Sequence, residues 1–422
     1  MKISVEKSSL SGSVLIPASK SHTIRAVVIG SLADGTSTIR NPLGAADPLA
    51  SVSVCCRLGA EISLDGDWTI RGVGGRPHVP DDVLDTGNSG TTLYLTMGTA
   101  ALVHGYSVFT GDEQIRSRPA GPLIEALHGL GAEAFSTRGN GKPPLVIRGP
   151  MKGGSIELDG SKTSQYLSAL LLNCPLADGD SDIRVSDPCE LPFIEMTLGW
   201  LDSQGIRYER DGFERFRIPG GQSYHAFERR IPGDFSSAAF FLCAAAVTGS
   251  ELMLIGLDMS DSQGDKAIVS MLADMGARIE VLHEGVRITG GKLVGGEFDL
   301  SGTPDALPAL AATACFAEGE TRLVNVAQAR LKETDRISVM ARELSRMGAQ
   351  IEELPDGLVI HGSEMHSASV RGHGDHRVVM ALAVAGMACD GVTEIDTAEA
   401  VSITFPNFVD LMRSAGAKIV QA

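Results

Sequence analysis

The stretch Leu58-Gly59-Ala60-Glu61-Ile62 returns in modified form five more times along the 422 residues of this chain. Each copy has a glycine between a helical pattern and a short strand, where a helix end needs left-handed backbone. The glycines lie 68 to 74 residues apart, in Leu130-Gly131-Ala132-Glu133-Ala134, Gln204-Gly205-Ile206-Arg207-Tyr208, Met275-Gly276-Ala277-Arg278-Ile279, Met347-Gly348-Ala349-Gln350-Ile351 and Ala415-Gly416-Ala417-Lys418-Ile419. The spacing predicts one structural unit of about 70 residues, used six times.

The region around Gly276 shows what the unit contains. Before it, Ile268, Met271, Leu272 and Met275 have the apolar spacing of a helix with one buried face. After it, residues 278–282 and 286–291 alternate around a His-Glu-Gly turn, as in a β-hairpin. The unit is therefore an α+β unit.

The number of units predicts two lobes. Solenoid repeats are usually about 20 to 50 residues long, so six longer units fit better as two globular lobes of three. We expect an α/β fold of α+β repeats in which each lobe packs its helices together, with sheets outside. A polar segment at 225–234 marks a crossing, and we predict one lobe at 16–227 and a discontinuous one at 1–15 plus 228–422. Ligands favour the cleft between such lobes.

Composition excludes several classes of protein. The formal charge of −16 disfavours a polyanionic partner such as nucleic acid. No run of eighteen apolar residues and no signal-peptide core is present, so we expect no membrane span and a cytoplasmic location. Seven scattered cysteines without C-x-x-C spacing are typical of reduced core residues, not of a zinc site.

Groups suited to small anions stand at loop-to-helix junctions of the first half. Lys20, Ser21 and Arg25 open an apolar helix, whose N-terminus attracts phosphate or carboxylate. The other three junctions are the glycine-rich turn 85–92, Arg118 ahead of a helix, and the hydroxyl-rich segment 161–165, whose donors exceed what one cap requires. Each of the four also has a plain structural explanation: in this order, a capping serine beside an exposed lysine, an ordinary turn, a solvated arginine and a polar cap.

The second half has a similar set. Residues 331–346 are predicted to form one helix with Lys332 and Arg336 on one face, where a bound anion would offset their repulsion. Glu333 beside them is a candidate for proton transfer, and Asp305 heads an apolar helix. A solvated charged face remains the alternative for residues 332–336. The two histidines of the segment 371–377 lack helical spacing and a third partner, which disfavours a metal site.

Taken in order, the motifs P-x-S-K-S…R, G-N-S-G-T-T, R-x-R-P, S-Q, K-E-T-D-R and G-D-H-R resemble those of the 5-enolpyruvylshikimate-3-phosphate synthase family, from Ser11 to Pro406. The resemblance implies a two-lobed inside-out α/β barrel, with three βαβαββ copies per lobe and the active site between the lobes. It also implies a monomer that transfers the enolpyruvyl group of phosphoenolpyruvate to the 5-hydroxyl of shikimate-3-phosphate and releases phosphate, without cofactor or metal, in chorismate biosynthesis.

The resemblance also implies roles for individual residues. The shikimate-3-phosphate ligands would be Lys20, Ser21, Arg25, Thr163, Ser164, Gln165, Asp305 and Lys332. The phosphoenolpyruvate ligands would be Lys20, Gly90, Arg118, Gln165, Arg336 and Arg377. Asp305 would be the base for the hydroxyl proton, and Glu333 with Lys20 would protonate the methylene carbon.

Four positions depart from the family pattern: Tyr94, Glu190, Leu191 and Ile403. They bear on substrate affinity more than on the reaction type. The alternative within the same fold is a UDP-N-acetylglucosamine enolpyruvyl transferase. Those enzymes typically have Lys-Asn where this chain has Lys20-Ser21, and often a cysteine at the position of Glu113, so both positions disfavour that alternative. A phosphometabolite-binding protein without catalysis is the alternative from another class, and Asp305 and Glu333 argue against it. The acidic charge disfavours an RNA-end-processing relative.

Overall fold

The computed structural model describes residues 1–421, which form twelve α-helices and 24 β-strands. The helices are α1 (Lys20–Leu32), α2 (Ala46–Arg57), α3 (Gly90–Ala100), α4 (Gly121–Gly129), α5 (Gln165–Asn173), α6 (Leu191–Ser203), α7 (Phe235–Thr248), α8 (Ala267–Asp274), α9 (Leu307–Ala314), α10 (Arg336–Arg346), α11 (His376–Gly386) and α12 (Phe408–Ser414).

The strands are mostly three to six residues long. They are β1 (Ile3–Glu6), β2 (Ser13–Leu15), β3 (Thr36–Arg40), β4 (Glu61–Ser63), β5 (Trp68–Arg71), β6 (Leu84–Asp85), β7 (Tyr106–Thr110), β8 (Glu133–Ser136), β9 (Leu145–Arg148), β10 (Gly154–Asp159), β11 (Ser181–Ser186), β12 (Glu209–Asp211), β13 (Arg215–Ile218), β14 (Glu228–Arg230), β15 (Glu251–Ile255), β16 (Arg278–Leu282), β17 (Gly285–Thr289), β18 (Glu297–Asp299), β19 (Glu320–Val324), β20 (Gln350–Leu354), β21 (Gly357–His361), β22 (Ser369–Val370), β23 (Val392–Ile395) and β24 (Lys418–Gln421).

The chain divides into two compact units. One, called here the 18–231 unit, is Ala18–Ile231; the other, called the two-segment unit, joins Met1–Pro17 to Pro232–Ala422. Each unit has its own cluster of buried apolar side chains. None of the helices within 1–421 is both long enough and apolar enough to cross a membrane.

All six sheets follow one plan, which confirms the repeat. Each has four strands, and one parallel pair is extended by two antiparallel neighbours, as in β6-β7-β9-β8. The predicted hairpin of the fourth copy is present as β16 and β17, paired from Arg278 opposite Thr289 to Leu282 opposite Gly285. The repeat glycines at 59, 131, 205, 276, 348 and 416 all have positive φ, as the helix-end interpretation requires.

The sixth sheet is completed by the other end of the chain. After Gly416 only one strand follows, and its antiparallel partner is β1, which pairs with β23 on its other side. β1 thus takes the position, between β23 and β24, that the second hairpin strand has in the other sheets. The first and last strands therefore stabilise one another through long-range backbone hydrogen bonds.

The two helices of each repeat differ in burial. Every residue of α3, α9 and α11 is buried, and α1, α5 and α7 are nearly so. In the two-segment unit α7, α9 and α11 contact each other, and in the 18–231 unit α3 contacts both α1 and α5. The other helix of each repeat is only partly buried. The N-termini of the buried helices place polar residues at the ends of an apolar core, where water is scarce.

Candidate active-site residues

Lys20 begins α1, whose N-terminal cap is the Ser19 side chain. The Lys20 ammonium lies 3.2 Å from a carboxylate oxygen of Asp47, and both side chains are largely buried. Asp47 lies in the first turn of α2, which has no side-chain cap. Sequence reasoning missed Asp47, although an acidic residue in the first turn of an apolar helix is a usable signal.

Arg25, one turn further along α1, is buried and bonded to neutral groups of its own unit. Its Nε donates to Thr197 Oγ1 at 2.9 Å, and its terminal nitrogens donate to Ser168 Oγ and to the carbonyls of Ser21 and Phe193. Burial lowers the pKa of Arg25 to about 10. The guanidinium is thus fixed in place with hydrogen bonds to uncharged oxygen atoms.

Gly90, Arg118 and Gln165 come together in the 18–231 unit. A side chain at Gly90, the first residue of α3, would place its Cβ 3.6 Å from an Arg118 nitrogen and 3.8 Å from Gln165 Oε1. Arg118 is only 7% exposed, so it is not a solvated surface arginine. Gln165 Oε1 is buried and accepts no hydrogen bond from the residues within 1–421. An acceptor in this position can take a donor from a ligand.

Tyr94 lies behind this group. Its hydroxyl donates to the Pro119 carbonyl at 2.7 Å, and the Tyr166 hydroxyl donates to the same oxygen at 2.6 Å. The two rings meet edge to face with centroids 5.1 Å apart. Because Pro119 follows Arg118 directly, the tyrosine pair anchors the backbone that carries the arginine.

Thr163 and Ser164 precede α5, which starts only at Gln165. In this structure their hydroxyls are already bonded within the protein. Both hydroxyls and the Ser164 backbone N–H donate to one carboxylate oxygen of Glu190, at 3.0 to 3.1 Å. Glu190 was recognised only as a departure from the family pattern, since its contact with these residues spans 26 positions.

In the two-segment unit, Asp305 bridges two arginines. It lies in a short 3-10 turn (Pro304–Ala306) ahead of α9, and its two carboxylate oxygens each accept a hydrogen bond at 2.9 Å, one from Arg336 and one from Arg377. Arg336 and Arg377 are almost fully buried, while the Asp305 side chain is 18% exposed. The structure thus brings together three of the predicted residues.

Arg336 also binds two further carboxylates. It donates to Asp375, whose side chain is fully buried and caps α11, and to Glu333. Burial by itself lowers the pKa of Arg336, but the Asp375, Glu333 and Asp305 carboxylates together raise it above the ordinary value. In the sequence, Asp375 stood out only as part of a rejected metal motif and of the G-D-H-R motif, and no role was assigned to it.

The predicted helix 331–346 starts later than expected, which is a correction. α10 begins at Arg336 because Asp335 caps it by accepting from the Ser338 N–H. Lys332 follows a separate 3-10 turn (Ala327–Leu331), so Lys332 and Arg336 do not share a helix face. Asp335 does not neutralise that pair and instead binds Arg330 at 2.7 Å.

Asp265 is a further buried carboxylate that sequence reasoning missed. It is 2% exposed and accepts hydrogen bonds from the Ser236 and Thr303 hydroxyls. Burial, and secondly the charge of Asp305, raise its pKa, while Arg377 opposes the shift. Thr303 precedes the turn that carries Asp305, so Asp265 ties that turn to the start of α7.

The two histidines of the 371–377 segment have separate environments. His373 Nε2 lies 2.9 Å from the Glu343 carboxylate, whereas His376 is buried in the first turn of α11. Burial lowers the pKa of His376 to about 3, so its ring is neutral at physiological pH. Within residues 1–421 no group of three or more His, Cys, Asp or Glu side chains is placed to hold a metal ion.

The comparisons with known proteins cover the whole chain. The family model described as EPSP synthase (3-phosphoshikimate 1-carboxyvinyltransferase) matches residues 5–412. The chain is 55% identical over 420 residues to the 3-phosphoshikimate 1-carboxyvinyltransferase of Ruminiclostridium cellulolyticum and 54% identical to that of Acetivibrio thermocellus, covering 99% of each chain. The solved structure of EPSP synthase from Acinetobacter baumannii superposes with a TM-score of 0.83 at 29% identity, covering 100% of both chains.

Proposed function

We propose roles for individual residues on the premise that this chain belongs to the EPSP synthase family, the 3-phosphoshikimate 1-carboxyvinyltransferases. The chain is a transferase of the shikimate pathway of aromatic biosynthesis, and it moves the enolpyruvyl group of phosphoenolpyruvate to shikimate-3-phosphate. The observation that carries the residue assignment is the Asp305–Arg336–Arg377 bridge.

Asp305 is the base that removes the proton of the attacking hydroxyl. Both of its oxygens accept hydrogen bonds from buried arginines in this structure, so both are already engaged. The carboxylate of phosphoenolpyruvate carries the same charge and geometry, and two guanidinium groups suit it well. When the phosphoenolpyruvate carboxylate binds Arg336 and Arg377, it displaces Asp305. The carboxylate of Asp305 then becomes available to accept the proton of the attacking hydroxyl.

Glu333, together with Lys20, supplies the proton for the methylene carbon. Glu333 already contacts Arg336, so its carboxyl group stands beside the proposed phosphoenolpyruvate ligands. Addition of the hydroxyl oxygen to the central carbon and of a proton to the methylene carbon gives a tetrahedral intermediate. Loss of a proton from the new methyl group then expels phosphate and leaves the enolpyruvyl ether, so atoms and charges balance without an external reagent.

The remaining residues bind the substrates. Phosphoenolpyruvate is held by Lys20, Gly90, Arg118, Gln165, Arg336 and Arg377, and the supporting observation is that Arg118 and Gln165 both lie beside Gly90, at the start of α3. Shikimate-3-phosphate is held by Lys20, Ser21, Arg25, Thr163, Ser164, Gln165, Asp305 and Lys332. Asp47 positions Lys20 through the ion pair described above.

We propose that the two lobes predicted from the sequence, 16–227 and 1–15 plus 228–422, both contribute residues to one reaction. We also propose a cytoplasmic monomer that needs no cofactor, no nucleic-acid partner and no membrane. Seven free cysteines, five of them buried thiols whose pKa burial raises above the ordinary value, support a reducing compartment.

Phosphate release tests the proposal. Purified protein is incubated with phosphoenolpyruvate and shikimate-3-phosphate, with either one omitted, and with UDP-N-acetylglucosamine as the acceptor. We expect phosphate only when phosphoenolpyruvate and shikimate-3-phosphate are both present. Phosphate release without shikimate-3-phosphate, or turnover of the sugar nucleotide alone, would contradict the assignment.

The proposed sharing of the reaction by both units is tested by single and double variants. K20M in the 18–231 unit and D305N in the two-segment unit should each lower kcat strongly. The kcat of the double variant should be hardly lower than that of the slower single variant, since the effects of groups that act as one unit are not additive. Independent, additive losses would show that the two residues do not act in one step.

A further inference from the structure

The Glu190 carboxylate lies against Thr163 and Ser164, two of the proposed shikimate-3-phosphate ligands. One of its oxygens accepts hydrogen bonds from the Thr163 hydroxyl at 3.1 Å, the Ser164 hydroxyl at 3.0 Å and the Ser164 N–H at 3.0 Å. We call these three donors the 163–164 cradle. Glu190 and Ser164 are both only 2% exposed, so the contact is buried in the 18–231 unit.

The cradle has the chemistry of an oxyanion site. A backbone N–H and two hydroxyls point at one oxygen atom, just ahead of the N-terminus of the buried helix α5. A phosphate oxygen carries the same negative charge and needs the same donors. One oxygen already takes all three hydrogen bonds, so a phosphate and the Glu190 carboxylate cannot both use the cradle.

The backbone explains how Glu190 reaches this position. It lies immediately before α6, with φ 52° and ψ 43°, a left-handed conformation that few non-glycine residues adopt. Its side chain does not cap its own helix. The side chain instead reaches residues 163 and 164, which lie just before α5.

We propose that Glu190 is an internal competitor of the substrate phosphate: its carboxylate occupies the 163–164 cradle as described above and leaves it when shikimate-3-phosphate binds. This inference rests on the proposed function, because it takes Thr163 and Ser164 as phosphate ligands. Glu190 then sets the affinity for the phosphorylated acceptor and not for phosphoenolpyruvate. A cradle that is open in a tenth of the molecules weakens the apparent affinity about tenfold.

Steady-state kinetics of E190Q and E190S test this role. Serine is short and leaves the three donors open, while glutamine keeps the shape and one acceptor oxygen but removes the charge. The KM for shikimate-3-phosphate is expected to fall in the order wild type, E190Q, E190S, by about tenfold or more in E190S. The KM for phosphoenolpyruvate should change by less than about twofold, since none of its proposed ligands is a donor of the 163–164 cradle.

The helix that follows Glu190, α6, offers a matched control. Glu195 is a partly exposed residue of α6 that binds Arg210 at 2.7 Å and belongs to no proposed ligand set. E195Q removes the same charge five residues away and should leave the KM for shikimate-3-phosphate unchanged. An equal fall in E195Q would assign the effect to the general charge of the unit and overturn the competitor role.

Inorganic phosphate provides a readout without turnover. It should raise the melting temperature of E190S at concentrations that leave the wild type unaffected. If E190S does not melt cooperatively, the shape-conserving E190Q decides the question by its KM. An unchanged or raised KM for shikimate-3-phosphate in the variants that fold would overturn the competitor role and show that Glu190 only supports the loop or assists binding.

A substitution at Ser164 distinguishes failure of this inference from failure of the proposed function. In the E190S background, S164A should raise the KM for shikimate-3-phosphate again by removing one donor. If S164A has no effect in either background, the assignment of the cradle to the phosphate is wrong. If S164A weakens binding but E190S does not strengthen it, the assignment of the cradle stands and the competitor role fails.

Discussion

Arg25 and Arg336 are both buried arginines of the proposed active site, but their surroundings are opposite. Arg25 is bonded to hydroxyl and carbonyl oxygens, and burial lowers its pKa to about 10. Arg336 is bonded to three carboxylates, which raise its pKa despite burial. Arg25 thus holds its buried charge in a neutral setting, whereas the charge of Arg336 is neutralised by carboxylates beside it.

This difference separates two kinds of chemistry. An uncompensated buried cation gains strongly from an incoming anion, because little negative charge has to be displaced. A cation already paired with carboxylates gains less, but each exchange of partners changes the basicity of the carboxylate released. We therefore propose that Arg25 serves mainly to bind the phosphate and that the carboxylates around Arg336 serve mainly in proton transfer.

The largest effect is expected from D305N. It removes the proposed base while keeping the size of the side chain, so kcat should fall by about 10²- to 10⁴-fold. Binding of shikimate-3-phosphate, measured by calorimetry, should remain detectable. A kcat within a few fold of the wild type would exclude Asp305 as the base and remove the proton-transfer half of the comparison.

Truncation of the two arginines should have unequal effects on stability. R336A leaves three carboxylates without their shared cation and should lower the free energy of unfolding by about 3 to 5 kcal/mol. R25A leaves neutral acceptors unsatisfied and should cost about 1 to 3 kcal/mol. Urea denaturation followed by circular dichroism compares the two, and equal losses would contradict the electrostatic distinction drawn here.

Asp265 sharpens the comparison through pH. Burial, then Asp305, raise its folded-state pKa, so the folded protein holds its proton up to a higher pH than the unfolded chain does. Its contribution to stability therefore falls as pH rises from about 4, the unfolded value, through the raised pKa. D265N removes this loss. The free energy of unfolding of D265N minus that of the wild type, measured by urea denaturation, should therefore increase as pH rises over that window.

Glu343 of the same unit is the matched control for Asp265. Burial raises its pKa, but hydrogen bonds from His373, the Arg371 N–H and Arg342 outweigh burial, and the pKa is lowered overall. Its stabilising contribution is present above the unfolded value of about 4.3 and lost as pH falls through the lowered pKa. E343Q should therefore be destabilised at neutral pH and should approach the wild type in acid, the opposite trend to D265N.

The smallest effect is expected from Y94F. It removes one of two hydroxyls that donate to the Pro119 carbonyl, and Tyr166 still satisfies that oxygen. The free energy of unfolding should fall by about 0.5 to 1.5 kcal/mol. The KM for phosphoenolpyruvate should rise only slightly, since Arg118 keeps its backbone anchor. A large rise would show that Tyr94 acts on the ligand site directly.

The sequence by itself determined the repeat and the kinds of groups at the helix starts. The six glycines predict the helix ends, because left-handed backbone at a helix end is a local requirement of a few residues. Apolar periodicity predicts the helices and hairpins for the same reason. Lys20, Gly90, Arg118, Asp305 and Arg377 are candidates because each stands at a local strand-to-helix or loop-to-helix signal. The late start of α10 was missed, since Asp335 was taken as a partner of the flanking charges and not as a cap.

Only the tertiary structure decided which charges meet. Asp265 reaches Thr303 across 38 residues, Asp375 reaches Arg336 across 39, and β1 pairs with β24 across almost the whole chain. Such contacts leave no mark at short range in one sequence, because buried charges depend on whichever partner the fold brings within hydrogen-bonding distance. For the same reason, sequence predicted spare donors at Thr163 and Ser164, and the structure filled them with Glu190.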